Sequence, residues 1–399
     1  MAINNHAWRV GYGSNAPFGR SKRATYKPMG TPELSGTAGL TRHIAISLGT
    51  RFVGLTVRLY NAHTSAVTYS ASVCAPDVQA AGAYSDQAWT RVLFGGANTV
   101  SVPAATAVIP NGVLGSVESD LVPVESGLAQ IICGRTYCNS ANNSRFIAGI
   151  TPSMNLPVHG FETYWQNGVD GVSDPTALNA AQGINTGPPM AFRLYTRADV
   201  CKVAIFGAST GDGYGDAVGA GWATRARELM RAQGKHVAIE QHSVYGSNTA
   251  SHMARARVMI PLTMPDVCVF DVTVSNDSGD ADWNTPAYLA RRRSELYEAV
   301  ELARQYGAVP VFLTYHAPVG YSGTQNDYRK QLVETIRAGA NEGHWVAFDI
   351  AKSWTDETQA VGAWIGGSAF TDDGAHGNAA GQNNIARRFV RTLESVLNP

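Results

Sequence analysis

The chain has 399 residues, of which 44% are hydrophobic and 16% are charged, and its 31 Lys and Arg residues balance its 31 Asp and Glu residues. This length is typical of two domains. Because the formal net charge is zero, no overall field would attract nucleic acid or an anionic membrane surface. We therefore expect neither of these as a partner, and the sequence leaves the oligomeric state open.

The N-terminal segment, MAINNHAWRV, has neither a basic stretch nor an apolar run. No apolar run elsewhere reaches the ~18 residues that a membrane span needs. We therefore expect synthesis in the cytoplasm without a signal peptide or a transmembrane segment. A phage protein, or one exported by a non-classical route, is compatible with this expectation.

The cysteines are few, odd in number and without the paired CxxC spacing of a zinc site. They are Cys74, Cys133, Cys138, Cys201 and Cys268. This pattern favours buried thiols over a disulfide framework. A local bridge between Cys133 and Cys138 in an oxidising compartment stays open as an alternative.

Short runs of alternating polarity, separated by Gly, Pro, Asn and Ser, occupy the first part of the chain. The runs are HIAISLGT (43–50), FVGLTVRLYNA (52–62), AVTYSASVCA (66–75), NTVSVPAATAVI (98–109) and ESGLAQIICG (125–134). Period-two alternation with frequent turn signals predicts a β-sandwich of jelly-roll type over residues 1–137.

Residues 138–198 are poor in periodicity and rich in Asn, Gly and Pro, which predicts a loop-rich connecting region. Two of its aromatic side chains, Tyr164 and Trp165, are candidates for stacking on a sugar ring of a substrate. The alternative is that they fill a core between two domains.

Apolar strands alternate with amphipathic helices over residues 199–399. The predicted strands are 202–207, 236–241, 267–274, 309–315 and 345–350, and the predicted helices are 220–233, 286–307, 326–341 and 379–397. This rhythm predicts an α/β domain with a parallel sheet covered on both faces. Ligands of such sheets bind beyond the carboxyl ends of the strands.

The stretch VAIFGASTGDGYGD (203–216) follows the first of these strands and has two interpretations. Gly207, Gly211 and Gly213 fit the glycine spacing of a short-chain dehydrogenase, with Glu240 as a ribose-binding acid. That family also needs a Tyr four residues before a Lys, and this pair does not occur after residue 200. The dehydrogenase interpretation therefore lacks its proton-transfer pair.

The second interpretation makes Ser209 a nucleophile, which requires a base and a group that orients the base. The segment FTDDGAHGNAAGQ (370–382) places Asp373 three residues before His376, just ahead of the last predicted helix. One short turn can present the imidazole and hold its second nitrogen. Ser209, His376 and Asp373 are thus the candidate catalytic residues.

Segments that follow the next strands offer donors for an oxyanion. HSVYGSNTASH (242–252) carries Gly246, whose backbone N–H a substrate could approach, and DVTVSND (271–277) carries Asn276 with a side-chain amide. Ordinary turn chemistry is the alternative for both. His316, in TYHAP after the fourth strand, lines the cleft or has a structural role.

These motifs, in this order, resemble the SGNH hydrolase superfamily, also called GDSL-type esterases, over roughly residues 200–397. The resemblance implies a flavodoxin-like three-layer α/β/α domain and assigns a role to each matching residue. By motif, the nucleophile is Ser209, the oxyanion donors are the Ser209 N–H, Gly246 and Asn276, and the pair that activates the nucleophile is Asp373 and His376.

The sequence departs from the family pattern at three positions. Ala208 replaces an Asp, Val274 replaces a glycine and Gly377 stands where Pro often follows the His. None of these changes removes a catalytic group. The N-terminal part resembles the β-sandwich that precedes the catalytic domain in some esterases of bacteria and phages.

The resemblance implies hydrolysis of a carboxylic ester through an acyl-enzyme, with no metal and no organic cofactor. The family acts on several ester classes, so the fold does not select a substrate. A paired β-sandwich favours an acetylated glycan, hence a carbohydrate O-acetyl esterase. The alternatives are a short-chain aryl or alkyl esterase, a lipase, an NAD(P)-dependent dehydrogenase and a non-catalytic glycan-binding appendage protein.

Overall fold

The computed structural model describes residues 21–26, 31–35, 37–78, 84, 86–109, 112–147, 161–178, 186–213, 221–272, 275–356, 358, 363–365 and 369–397. Within these ranges the first half of the chain is built of β-strands. They are β1 (Ser21–Tyr26), β2 (Thr31–Ser35), β3 (Leu40–Ser47), β4 (Phe52–Asn61), β5 (Val67–Cys74), β6 (Thr90–Arg91), β7 (Val100–Val102), β8 (Gly115–Glu118), β9 (Ile131–Cys138), β10 (Asn143–Ile147), β11 (Phe161–Asn167), β12 (Thr186–Gly187) and β13 (Met190–Phe206).

Two antiparallel sheets form a sandwich. One contains β1, the first half of β13, β4 and β8, and the other has the order β11-β3-β9-β5-β6, with β7 paired to β5. Ile44 and Ile132 from the second sheet share a buried core with Leu55 and Phe192 from the first. The sheets approach closely at Gly134, where a Cβ would lie 2.5 Å from Met190 Sδ and 2.5 Å from Phe192 Cζ. Short strands β12, β10 and β2 form a small third sheet.

The second half of the chain alternates helices and strands. In chain order they are α1 (Ser209–Asp212), α2 (Gly221–Ala232), β14 (Val237–Gln241), α3 (Thr249–Thr263), β15 (Val267–Phe270), α4 (Pro286–Gln305), β16 (Val309–Leu313), α5 (Gly323–Asn341), β17 (Val346–Phe348), α6 (Ala351–Trp354) and α7 (Ala379–Leu397). The parallel strands have the order β14-β13-β15-β16-β17. Numbered from β13, this order is 2-1-3-4-5, which is that of flavodoxin-like folds.

The parallel sheet is covered on both faces because its strands alternate two apolar sets. In β13, Val203 and Ile205 face α2 and α7, while Ala204 and Phe206 face α3, α4 and α5. The result is a three-layer α/β/α arrangement. The predicted fold class, an α/β domain with a parallel sheet preceded by a β-sandwich, is confirmed.

Strand β13 belongs to both halves of the molecule. Its first half pairs antiparallel with β1 and β4, and from Cys201 to Phe206 it pairs parallel with β14 and β15. The boundary that the composition suggested at residue 198 therefore falls inside a continuous strand. The domains are joined by shared main-chain hydrogen bonding and not by a linker.

The region predicted to be loop-rich contains regular structure. Of residues 138–198, the structure describes β10, β11, β12 and the first half of β13 as strands. Their Asn, Gly and Pro residues signal turns, but short strands of mixed polarity can pair without a clear alternation. β11 is a full member of the sandwich because it pairs with β3 over seven residues, Phe161 to Asn167.

All five cysteines are free and buried, as the favoured interpretation predicted. Among the residues described, no helix has the length and hydrophobicity needed to cross a membrane. The same part of the chain contains no group of three or more His, Cys, Asp or Glu side chains that could hold a metal ion.

Candidate active site

The turn that carries Ser209 lies at the carboxyl end of β13, an inner strand of the parallel sheet between β14 and β15. Ser209 begins the short helix α1, and Gly213 ends it with a φ of 81°. A Cβ at Gly211 would lie 2.5 Å from Ser243 Oγ, so the turn packs against the segment after β14 only because glycine is present. Gly211 therefore serves the packing of the nucleophile turn.

Two side chains from neighbouring elements hold the carbonyl groups of this turn. Trp222 Nε1 donates to the Thr210 carbonyl at 2.8 Å, and Gln241 Nε2 donates to the Gly211 carbonyl at 2.8 Å. Each anchor comes from a buried residue of α2 or β14. The turn that presents Ser209 is thereby fixed from two sides.

Asp373, His376 and Ser209 form one chain of hydrogen bonds. His376 Nε2 lies 2.9 Å from Ser209 Oγ, and His376 Nδ1 lies 2.6 Å from Asp373 Oδ2. Because the carboxylate only accepts, Nδ1 carries a proton and Nε2 of the neutral imidazole accepts the serine hydroxyl. The three residues that the sequence predicted as nucleophile, base and orienting acid are therefore in contact, although Ser209 and His376 lie 167 positions apart in the chain.

The loop itself supplies further donors to Asp373. The backbone N–H groups of Ala375 and His376 each donate to Oδ1 at 2.8 Å. Partial burial raises the pKa of Asp373, but hydrogen bonds from the His376 side chain and from these two N–H groups outweigh that effect and lower it to about 2. The carboxylate is therefore ionised wherever the imidazole can act as a base.

The two predicted oxyanion residues lie on adjacent turns. Gly246 has a φ of 77°, a conformation that favours glycine, in the turn between β14 and α3. Asn276 lies in a 3₁₀-helix (Ser275–Gly279) after β15, and its Nδ2 donates to the carbonyl of Ser247 at 3.1 Å. One hydrogen of the amide is thus used to fix Asn276 against the residue that follows Gly246.

A buried network below these turns includes residues that the sequence analysis did not single out. His252 Nδ1 donates to the Asp271 carbonyl at 2.8 Å, and its Nε2 lies 2.8 Å from Ser247 Oγ. Arg255 donates to the same Ser247 Oγ at 2.8 Å. Burial, followed by the charge of Arg255, lowers the pKa of His252 to about 3, in keeping with this neutral tautomer. The network ties the Gly246 turn to α3 and to the end of β15.

Asp277, the neighbour of Asn276, is fully buried and anchors the 3₁₀-helix. Its carboxylate accepts from the Thr249 N–H and hydroxyl, both at 2.8 Å, from Tyr288 Oη at 3.0 Å and from Arg292 at 3.1 Å. Burial raises the pKa of Asp277 despite the charge of Arg292. The residue holds α3, α4 and the Asn276 segment together.

Three other residues predicted near the substrate occupy different surroundings. His316 has no exposed surface, and its Nε2 lies 2.7 Å from the Ala375 carbonyl, so it contacts the loop of Asp373 and His376 from inside the protein. It therefore does not line a cleft in this structure. Tyr164 and Trp165 lie on β11 of the sandwich, where the ring of Tyr164 is 5.8 Å from that of His43.

An aromatic residue that the sequence analysis passed over lies beside the base. The ring centroid of Tyr245 is 6.4 Å from that of His376, and 46% of Tyr245 is exposed. Its position directly before Gly246 was the available signal. Of the departures from the motif pattern, Val274 lies outside the described residues, while Ala208 is buried.

Comparison with known proteins gives structural matches only. No protein-family model matches the chain, and no curated protein matches it in sequence. Solved structures similar to it include a lipase/acylhydrolase from Enterococcus faecalis, which is 23% identical in sequence. The match covers 49% of this chain and 96% of that chain, with a TM-score of 0.39. A psychrotrophic esterase from Pseudoalteromonas sp. is 15% identical, with 50% and 99% covered and a TM-score of 0.40. A catalytic mutant of an acetylxylan esterase from Geobacillus stearothermophilus is 16% identical, with 48% and 93% covered and a TM-score of 0.38.

Proposed function

We propose that this protein is a serine ester hydrolase of the SGNH type that cleaves carboxylic esters through an acyl-enzyme on Ser209. The observation that carries the proposal is the continuous chain of hydrogen bonds from Asp373 through His376 to Ser209 Oγ. A serine hydroxyl is a weak nucleophile unless a base removes its proton during attack. The chain of hydrogen bonds supplies that base and fixes its tautomer.

In the proposed mechanism Ser209 Oγ bonds to the ester carbonyl carbon while its proton moves to His376 Nε2. The carbonyl π electrons move to oxygen, and the oxyanion accepts hydrogen bonds from the Ser209 N–H, Gly246 N–H and Asn276 amide. Collapse breaks the bond to the leaving alkoxide, which takes the proton from Nε2. Water then attacks the acyl-enzyme with its proton going to His376, and Ser209 regains its proton as the carboxylic acid leaves.

We propose a carbohydrate O-acetyl ester as the substrate. His376 protonates the leaving alcohol, so the groups beside His376 contact the alcohol part of the ester. The exposed ring of Tyr245 lies there, and an exposed aromatic face suits a sugar ring. Tyr164 and Trp165 remain proposed as further contacts for an extended glycan. Esters of simple alcohols and long-chain lipids are the competing substrates.

The ester-hydrolase proposal is tested with Ser209→Ala and p-nitrophenyl acetate. We expect loss of hydrolysis and loss of labelling by a fluorophosphonate probe, with Ser395→Ala, an exposed serine of α7, as the matched control. Hydrolysis by Ser209→Ala at the wild-type rate would contradict the proposal. Wild-type protein that neither hydrolyses esters nor reacts with the probe, but binds glycans, would favour the non-catalytic alternative.

The substrate proposal is tested by comparing acetylated oligosaccharides with ethyl acetate and with p-nitrophenyl esters of increasing chain length. We expect Tyr245→Ala to raise KM for the acetylated oligosaccharide about tenfold and to leave hydrolysis of ethyl acetate unchanged. Tyr297→Ala, which removes an exposed tyrosine of α4, is the control. A preference of the wild type for long acyl chains would overturn the deacetylase proposal and leave the ester hydrolase intact.

A further inference from the structure

The peptide group between Ala375 and His376 is held at both of its ends. Its carbonyl oxygen lies 2.7 Å from His316 Nε2, and its N–H donates to Asp373 Oδ1 at 2.8 Å. A trans peptide is planar, so its C=O and N–H point in opposite directions and cannot be turned independently. Fixing the carbonyl of this peptide therefore also fixes the N–H that Asp373 receives.

The ring of His316 is itself clamped. It has no exposed surface and meets Trp354 and Trp364 edge-on, with ring centroids 5.2 Å and 4.9 Å away. Trp354 also fills the space beside Gly377, where a Cβ would lie 2.3 Å from Trp354 Cη2. The same aromatic group thus packs against both His316 and the residue after His376.

The hydrogen bond defines the tautomer of His316. A carbonyl oxygen can only accept, so Nε2 carries the proton and Nδ1 does not. Nδ1 is buried without a hydrogen-bond partner among the described residues. Burial lowers the pKa of His316 to about 3, and the charged or titratable groups that act on it are His376, Arg329 and Asp373. His316 is therefore a neutral, single-proton donor over the range in which a serine hydrolase works.

A histidine that only filled the core would gain nothing from its ring nitrogens. Burying Nδ1 without a partner costs free energy, and phenylalanine would fill a similar volume without that cost. What histidine adds at this position is the one N–H directed at the Ala375 carbonyl.

We propose that His316 is a positioning residue. It fixes the orientation of the Ala375–His376 peptide, and this peptide in turn keeps the Asp373 carboxylate within hydrogen-bond distance of the His376 imidazole. The inference rests on the proposed function, because its effect is read through the Ser209 reaction. The path runs from His316 to the peptide, from the peptide N–H to Asp373 Oδ1, and from Asp373 Oδ2 to His376 Nδ1.

Two substitutions separate the hydrogen bond from the packing. His316→Phe keeps a ring and removes the donor, whereas His316→Gln loses the ring and keeps an N–H at a similar distance from the backbone. We expect His316→Phe to lower kcat on p-nitrophenyl acetate by about 10- to 100-fold with KM little changed, since small misplacements of catalytic groups are costly. His316→Gln should recover most of kcat.

The pH profile adds a readout that packing alone would not change. Loosening the hydrogen bond between Asp373 and His376 should change the acid limb of kcat/KM in His316→Phe and not in His316→Gln. His43→Phe is the matched control, because His43 is equally buried but lies in the sandwich. We expect wild-type kcat and pH profile for the control.

Folding of each variant is followed by thermal melting and circular dichroism. A folded His316→Phe with the wild-type kcat and acid limb overturns the inference while the ester hydrolase stands. If His316→Phe does not fold, the test rests on His316→Gln. A folded Gln variant with a large loss of kcat overturns the role of the hydrogen bond. A folded Gln variant that retains kcat supports it. If the wild type showed no hydrolysis that depends on Ser209, the proposed function itself would be wrong.

Discussion

The α/β half and the β-sandwich both bury polar side chains, but they connect them to different structures. In the α/β half, the Asp277 carboxylate accepts from the Thr249 N–H beside the Gly246 turn, and His316 bonds to the carbonyl of Ala375 in the loop of Asp373 and His376. In the sandwich, Arg135 donates to the Gly171 and Pro175 carbonyls, and neither ring nitrogen of His43 has a hydrogen-bond partner within the part of the chain that the structure describes. Buried polar side chains therefore fix the loops of the candidate site in the α/β half. In the sandwich they fix the segment 171–175, which packs on one of the sheets.

This difference indicates where substitutions should affect catalysis and where they should affect only stability. Polar residues that a parallel sheet buries near the carboxyl ends of its strands lie where ligands bind. Those of the sandwich pair with segments of the sandwich itself. Variants of matched chemistry in the two halves can break or sharpen this distinction.

The largest effect is expected from Asp373→Asn, which keeps the shape of the side chain but lets His376 adopt the wrong tautomer. We expect kcat to fall roughly 10⁴-fold. Asp372→Asn, whose carboxylate accepts from Asn378 Nδ2 and does not belong to the hydrogen-bond chain to Ser209, should stay near the wild type. Steady-state kinetics on p-nitrophenyl acetate measures both, and equal losses in the two variants would contradict the assignment of Asp373.

A smaller loss is expected from Asn276→Ala, which removes one proposed oxyanion donor. The expected fall in kcat is roughly 10²- to 10³-fold, with little change in KM, because the donor acts on charge that develops in the transition state. Asn384→Ala on α7 is the control. If kcat is retained in a folded Asn276→Ala protein, the oxyanion role of this amide is wrong.

Gly134→Ala and Gly377→Ala compare the two halves directly. An added Cβ would lie 2.5 Å from Met190 Sδ in the sandwich and 2.3 Å from Trp354 Cη2 beside the catalytic loop. Overpacking should destabilise each variant by about 1–3 kcal/mol. Only Gly377→Ala should also lower kcat, by roughly 10- to 100-fold, because its neighbour is His376.

Urea unfolding gives the free energy of unfolding of each glycine variant, and kinetics on the folded protein gives kcat. A loss of kcat in Gly134→Ala as large as in Gly377→Ala would show that the sandwich and the site are coupled. The contrast between the two halves would then not hold.

The smallest predicted effect is the pH dependence of folding stability. Folding lowers the pKa of Asp373 from 3.8 to about 2, so the stabilisation from its ionised form is present above about pH 4 and is lost as the pH falls toward 2. The difference in melting temperature between the wild type and Asp373→Asn should therefore be constant above pH 4 and shrink below it. The effect is modest because 49% of the Asp373 side chain is exposed. A difference that stays constant down to pH 2 would contradict the lowered pKa.

Much of the α/β half could be predicted because strand and helix periods alternate clearly along it. The helix α7 begins and ends at the predicted residues, 379 and 397. Helix α3 was missed, since Pro261 interrupts its pattern and its buried face carries the polar residues His252 and Arg255. Tertiary hydrogen bonds, which a linear sequence pattern does not encode, offset the free-energy cost of burying His252 and Arg255.

The sandwich was harder to predict because its strands are short and pair over long sequence distances. The run 98–109 forms a strand only at Val100–Val102, and β10 and β11 were taken for loop. Of the candidate site, Ser209, Asp373 and His376 could be proposed because each lies in a local motif, and the structure brings the three into hydrogen-bond contact. The contact of His316 could not, because its partner is a backbone carbonyl, which every residue possesses.

The continuity of β13 has a consequence for attempts to isolate the catalytic half. Cutting the chain at residue 198 would sever the strand whose far end presents Ser209, and it would strip β1 and β4 of their pairing partner. An excised α/β fragment would retain only the second half of β13, and its unpaired strand edges would favour aggregation. The hydrogen-bonded set of Ser209, His376 and Asp373 therefore depends on a strand shared with the sandwich, and variants made for directed evolution should keep both halves.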